Sequence, residues 1–154
     1  AGFSMRVLYT DAHRLPEDAE ATLGAVFTDK ATLLRESDFL TAHCPLTPDT
    51  RHAFSDAEFA AMKKTAVFVN TSRGPVVDEA ALARALRSEE IFAAGIDVFE
   101  EEPRVHPDLL DCGNAVLIPH LGSASVETRA RMAALAAGNI IAVLRGGEPP
   151  NRVA

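Results

Sequence analysis

Thiols, surplus positive charge and long apolar runs are all scarce in this 154-residue sequence, and each shortage removes a class of protein. Cysteine occurs only at Cys44 and Cys112, without a C-x-x-C spacing. Both flank apolar, strand-like runs, so they read as reduced packing residues and not as a disulfide scaffold or a thiolate metal site. His43, His52 and His106 make no metal-ligand spacing with each other or with either cysteine, so no metal is expected and packing is their simplest account. Fifteen Lys and Arg stand against 22 Asp and Glu, a formal net charge of -7 with a pI near 5.2. That balance leaves no basic footprint for a nucleic acid backbone. No apolar run approaches the ~20 residues of a membrane helix, so no membrane partner is expected. The opening Ala1-Gly2-Phe3-Ser4 has no charged segment followed by an apolar core, which predicts no export signal and a cytoplasmic address.

What is present is a large apolar fraction, 47% of residues, arranged in short runs. Runs rich in Val, Ile, Phe and Ala at 6–9, 25–27, 39–43, 66–69, 93–98 and 115–118 alternate with segments of helical spacing. This is the pattern of an α/β fold with a parallel sheet covered on both faces. Phe54-Ser55-Asp56-Ala57-Glu58-Phe59 has capping-box spacing between Ser55 and Glu58, with Phe54 and Phe59 set to form a hydrophobic staple. The spacing predicts a helix from there to about Lys64. Asp78 caps a second helix to about Ser88, with Leu82 and Leu86 on its buried face. Ser125 opens the longest helix, whose apolar positions Met132, Leu135, Ile140, Val143 and Leu144 run to the Gly146-Gly147 stop. Length and composition fit one globular domain without an internal boundary.

In an open parallel sheet, ligands bind beyond the carboxyl ends of the strands. Five polar segments fall there in this sequence. Asp11 follows the first run, 44–50 the third, and Asn70-Thr71-Ser72-Arg73-Gly74 the fourth. Glu100-Glu101-Glu102-Pro103 follows the fifth, and Pro119-His120-Leu121-Gly122-Ser123 the sixth. One Arg, one acidic cluster and one His at three successive strand ends form a set able to hold an anion and move a proton. In a dinucleotide fold, an acidic residue ending the second strand hydrogen-bonds a ribose hydroxyl of NAD and repels the 2′-phosphate of NADP. Asp11, after the first run here, takes that position once a further strand precedes these residues, while the neighbouring His13 and Arg14 leave NADP open.

Val69-Asn70-Thr71-Ser72-Arg73-Gly74-Pro75-Val76-Val77-Asp78-Glu79 resembles the signature segment of the D-isomer-specific 2-hydroxyacid dehydrogenases. Gly95-Ile96-Asp97-Val98-Phe99-Glu100-Glu101-Glu102-Pro103 and Pro119-His120-Leu121-Gly122-Ser123-Ala124 resemble the next two motifs, in the same order. The similarity extends from Met5-Arg6-Val7-Leu8-Tyr9 to Pro149-Pro150-Asn151. It implies a Rossmann-like, doubly wound sheet and hydride transfer between NAD(P) and a small 2-keto acid of the glyoxylate or hydroxypyruvate class, with a homodimeric parent. The implied catalytic residues are Arg73, Glu102 and His120. His120 acts as general acid and base, Glu102 is its carboxylate partner, and Arg73 is the substrate clamp, with Arg73 and His120 touching the substrate. The resemblance also implies cofactor contacts from Cys44, Pro45, Thr50, Thr71, Ser72, Asp97, Gly122 and Ser123, besides Asp11, Arg73 and His120.

The family's nucleotide domain opens with a strand, a G-x-G-x-x-G turn and a helix, none of which these residues contain. The resemblance therefore implies a partial dinucleotide-binding domain over 1–154, with 146–154 returning towards a separate substrate domain. A central strand would be missing, leaving neighbours with unpaired edges, and the isolated chain is expected to be inactive. The corepressors of the C-terminal-binding-protein type share this architecture. A dinucleotide-sensing binding protein is thus the alternative.

Overall fold

A computed structural model describes residues 3–153. It divides into two compact units, Ala1–Pro119 and His120–Ala154. In the first unit β1 (Val7–Tyr9), α1 (Glu17–Leu23) and β2 (Ala25–Phe27) form a parallel β-α-β unit with Val7 opposite Ala25. Gly24 ends α1 in the left-handed conformation, φ 61°, which glycine adopts without the clash a Cβ brings. There follow α2 (Lys30–Glu36), β3 (Phe39–Ala42), α3 (Asp56–Ala61), β4 (Val67–Asn70), a single 3-10 turn at Gly74–Val76, and α4 (Glu79–Arg87). The elements β5 (Ala93–Ile96), α5 (Pro107–Leu110) and β6 (Ala115–Leu117) complete it.

The strands form two sheets, β1-β2 and a four-stranded parallel sheet of order β3-β4-β5-β6. Among the described residues, β1 pairs only with β2 and β3 only with β4, so each keeps an open edge. The resemblance leaves a central strand out of these residues, and α2 connects β2 of one sheet to β3 of the other. The Arg6 guanidinium, just before β1, binds Glu36 at the end of α2, while Lys30 at its start binds Glu58 at 2.9 Å.

Local chemistry forms the elements at the expected places. The Glu58 carboxylate accepts the Ser55 backbone N–H at 3.0 Å, completing the capping box, and Asp78 accepts the Ala81 N–H at 2.9 Å. Phe54 and Phe59 both meet the Phe68 ring, with centroids 5.0 and 5.4 Å away. Phe59, Phe68, Leu82, Leu86, Ile91 and Leu109 are fully buried, and each such side chain contributes about 1.5–3 kcal/mol. Several element ends fall earlier than the sequence predicts, those of β3 and β6 by one residue, at Ala42 and Leu117. Helix α3 stops at Ala61 instead of near Lys64, because Lys63 turns the chain so that the Val67 N–H reaches Asp38 O and β4 enters register with β3. Strand β5 stops at Ile96 instead of residue 98, since its neighbours end at Asn70 and Leu117.

The second unit is dominated by α6 (Val126–Leu144), whose cap Ser125 accepts the Thr128 N–H at 3.1 Å. It ends before Gly146, φ 78°, as the glycine pair predicts. No residue of α6 is buried, and Met132, Leu135, Ile140, Val143 and Leu144 all remain exposed. The tail folds back on it, the Asn151 N–H donating to the Asn139 side-chain oxygen at 2.9 Å.

Candidate active site

The turn after β4 is built by Asn70, which is 1% exposed. Its Oδ1 accepts the Ser72 N–H at 3.0 Å and the Ser72 hydroxyl at 2.8 Å, and its Nδ2 donates to Arg73 O at 3.1 Å. The side-chain amide therefore replaces the strand ladder that ends there and fixes the backbone of Arg73. The Arg73 side chain is exposed, with Nη1 donating to Ser72 O at 2.6 Å. Ser72 is buried, its hydroxyl engaged with Asn70, so its part in the site is to shape this turn.

Arg73 continues into Gly74, whose backbone lies against the loop after β5. A Cβ there would stand 1.9 Å from the carbonyl carbon and oxygen of Phe99. Only glycine permits this approach. The Arg73 turn and the Glu102 loop are consequently in backbone contact at the carboxyl edge of the four-stranded sheet. Within the loop, the Phe99 N–H donates to Glu102 Oε1 at 3.1 Å, and Glu102 itself is exposed, followed by a cis bond to Pro103.

A cleft of about 590 Å³ runs between the 43–46 turn, after β3, and the 71–73 turn. Cys44, Pro45, Thr71, Ser72 and Arg73 line it, so five of the expected cofactor residues meet in one place. Burial pushes the half-buried Cys44 thiol up from its ordinary value, keeping it protonated at neutral pH. Thr50 acts on the cleft from outside. Its hydroxyl donates to Pro45 O at 2.6 Å and accepts the Thr47 N–H at 2.7 Å, closing the turn that carries Pro45.

Asp11 follows β1 and is exposed, with Oδ1 accepting the His13 N–H at 2.9 Å. The neighbouring Arg14 is turned to α1. Its guanidinium donates twice to Glu20, at 2.8 and 2.9 Å, and lies over the Phe27 ring, 5.6 Å from its centroid. Hydrogen bonds from Arg14 and the Tyr9 hydroxyl hold the Glu20 carboxyl at a pKa of about 2. Asp97 is 5% exposed at the end of β5. His120, Gly122 and Ser123 are exposed in the second unit, and His120 adopts a left-handed φ of 52°.

Reading of the sequence did not single out Asn70, Gly74, Glu79 or Glu100 as site residues. Their roles arise from contacts with distant backbone, and only the presence of Asn70 and Gly74 beside Arg73 hinted at a built turn. The three histidines set aside on sequence have specific partners. His52 Nε2 lies 2.9 Å from Glu100 Oε2, His43 Nε2 lies 2.9 Å from the Thr41 hydroxyl, and His106 caps α5. Among the described residues, no three His, Cys, Asp or Glu side chains are grouped to hold a metal.

Residues 1–122 match the model of the D-isomer specific 2-hydroxyacid dehydrogenase NAD binding domain. The chain is 49% identical over 152 residues to a glyoxylate reductase of Thermococcus litoralis, covering 99% of this chain and 46% of that protein. It is 51% identical over 146 residues to glyoxylate/hydroxypyruvate reductase B of Salmonella newport, covering 94% and 45%. Among solved structures, the NADPH-dependent glyoxylate/hydroxypyruvate reductase of Sinorhizobium meliloti in complex with NADP and malonate superposes with a TM-score of 0.89. It is 34% identical, with coverage of 99% of this chain and 47% of that one. D-lactate dehydrogenase of Lactobacillus jensenii with NAD+ superposes at 0.84 with 27% identity, covering 99% and 49%. The chain thus spans about half the length of the relatives it matches. With a family match over residues 1–122 and relatives about half identical over nearly the whole chain, the chain belongs to the D-isomer-specific 2-hydroxyacid dehydrogenase family, within the NAD-binding domain.

Proposed function

We propose that this chain supplies the nucleotide-binding and acid–base portion of an enzyme that reduces a small 2-keto acid, of the glyoxylate or hydroxypyruvate class, to the D-2-hydroxy acid. The observation that carries the reading is the seating of Gly74 on the Phe99 backbone, which ties the turn bearing Arg73 to the loop bearing Glu102. A guanidinium and a carboxylate thereby share one edge of the sheet, beside the cleft of about 590 Å³, which supports reading them as a substrate clamp and one half of an acid–base pair.

The residues that line the cleft fit a dinucleotide. Exposed Asp11 is free of Arg14, which Glu20 engages, so the ribose end favours the hydroxyl of NAD over the phosphate of NADP. Reduced nicotinamide, when bound, supplies the hydride. Arg73 holds the substrate carboxylate through two parallel hydrogen bonds and polarises the keto oxygen. His120 delivers the proton that the reduced oxygen takes up, and receives it back in the reverse direction. Glu102 serves as its carboxylate partner and orients the ring. These 154 residues include no glycine loop for the pyrophosphate, so the chain alone is expected to bind NADH weakly and to reduce keto acids below detection.

The reading is tested with a chimera in which this chain replaces the matching segment of the Thermococcus glyoxylate reductase. Reduction of glyoxylate or hydroxypyruvate by NADH is the expected result. A chimera that binds NADH with native affinity yet turns over neither keto acid overturns the reading in favour of a dinucleotide sensor.

A further inference from the structure

Glu79, in the first turn of α4, is 5% exposed, although a carboxylate in that position of a helix ordinarily faces water. Its two oxygens are both used. Oε1 accepts the Glu100 N–H at 2.6 Å and Oε2 accepts the His106 N–H at 3.1 Å. Those two amides stand at the two ends of the 100–106 loop, and Glu102 lies between them. The arrangement is reciprocal, because Glu100 Oε1 accepts the Glu79 N–H at 3.0 Å, leaving Oε2 for His52 at 2.9 Å and Arg51 at 3.8 Å. Glu100 and His106 are the charged or titratable groups that act on the Glu79 carboxylate, while Arg51 and His52 meet Glu100 Oε2.

We propose that Glu79 is a positioning residue for the reaction: by gripping both ends of the 100–106 loop it sets where the Glu102 carboxylate stands. The inference rests on the catalytic reading of Glu102 given above. Three observations support it. The middle of the loop is exposed, from Glu101 to Arg104, and the Arg104 N–H closes it on itself by donating to Glu101 O at 2.9 Å, so its course is set from its two ends. Its start is already pressed against the Arg73 turn at Gly74, so a grip at residues 100 and 106 fixes the acid relative to the substrate clamp. Finally, burial and the nearby Glu100 push the Glu79 carboxyl up from its ordinary value, so an ionised acid there is disfavoured, and an apolar side chain would pack at less cost. An acid in this place makes sense as a double acceptor for two backbone amides.

The test uses the glyoxylate reductase chimera carrying Glu79→Gln, Glu102→Gln, or both. The Gln side chain keeps one acceptor but turns an N–H₂ group towards the other amide, which releases one end of the loop. Glu79→Gln is expected to lower kcat/KM for glyoxylate by about 10²-fold, the effect of a small displacement of a reacting group. Affinity for NADH should be unchanged, and the pH profile of kcat/KM should shift in the same limb that Glu102→Gln shifts. In the Glu102→Gln background the further loss should vanish. An equal fold-loss in both backgrounds, or a native pH profile in Glu79→Gln, overturns the proposal. If Glu102→Gln itself leaves the rate unaltered, the catalytic reading falls first, which separates the two failures. A second readout, on this chain itself, is amide hydrogen exchange. Faster exchange at Glu100 and His106 in Glu79→Gln, with α4 and β5 still protected, supports the grip; unchanged protection at those two amides overturns it.

Discussion

At the scale of single residues, the candidate site sets exposed side chains proposed to meet ligand, such as Arg73, beside buried ones that build their turns, such as Asn70. Arg73 is exposed and presents a guanidinium whose planar fork matches a carboxylate, whereas a lysine offers a point charge. Arg73→Lys in the chimera is expected to lower kcat/KM for glyoxylate by about 1.5–3 kcal/mol, mostly through KM; steady-state kinetics check it. The Arg14–Glu20 pair concerns the cofactor. The Glu20 pKa is lowered from 4.5 to about 2, so the pair's contribution is complete above the ordinary carboxylate value and is lost as pH falls through about 2. Following the Glu20 carboxyl by NMR should place its midpoint near the lower value. Glu20→Gln should release Arg14 and raise affinity for NADPH relative to NADH, read by fluorescence titration of the chimera. Arg73 and Glu102 were legible in the sequence because they sit at strand ends inside recognisable motifs. Asn70 and Glu79 were not, since a buried amide and a buried acid look like ordinary turn and helix residues until the fold brings their partners to them.

At the scale of elements, the legible features were those governed by neighbours in sequence. Ser55 with Glu58, Asp78 with Ala81 and Ser125 with Thr128 announce helix starts because a cap is chemistry across three residues. The ends of α3 and β5 were less legible. They depend on where β3, β4 and β6 stop, which is non-local pairing. Gly74 belongs to this scale, because it joins the element after β4 to the one after β5. Gly74→Ala is expected to destabilise the chain by about 3 kcal/mol, since a backbone-to-backbone overlap cannot be relieved by a rotamer change. Urea unfolding of the purified chain measures it, and a loss under about 1 kcal/mol, ordinary for tolerated core swaps, would show that the two segments part readily.

At the scale of the whole chain, the described strands form two separate sheets, and α6 of the second unit has no buried residue. Val7 on β1 and Phe39 on β3 are 46% and 64% exposed beside those open edges. Unpaired edges with apolar neighbours template association. The chain alone should therefore bind a hydrophobic dye such as ANS and associate with rising concentration, whereas the chimera should do neither; dye fluorescence and sedimentation would decide. The interrupted sheet was expected because these residues contain no strand, G-x-G-x-x-G turn and helix of the kind that opens the family's domain, while the exposure of α6 could not be read from its apolar positions, which look the same on a covered helix. The account turns on His120 moving a proton in partnership with Glu102 while Arg73 holds the substrate. Its most direct test is kcat/KM for glyoxylate with NADH in the chimera bearing His120→Ala, compared with the unsubstituted chimera at equal cofactor occupancy. The account predicts a loss on the order of 10³-fold with NADH affinity retained; a variant that keeps the parent rate would contradict it.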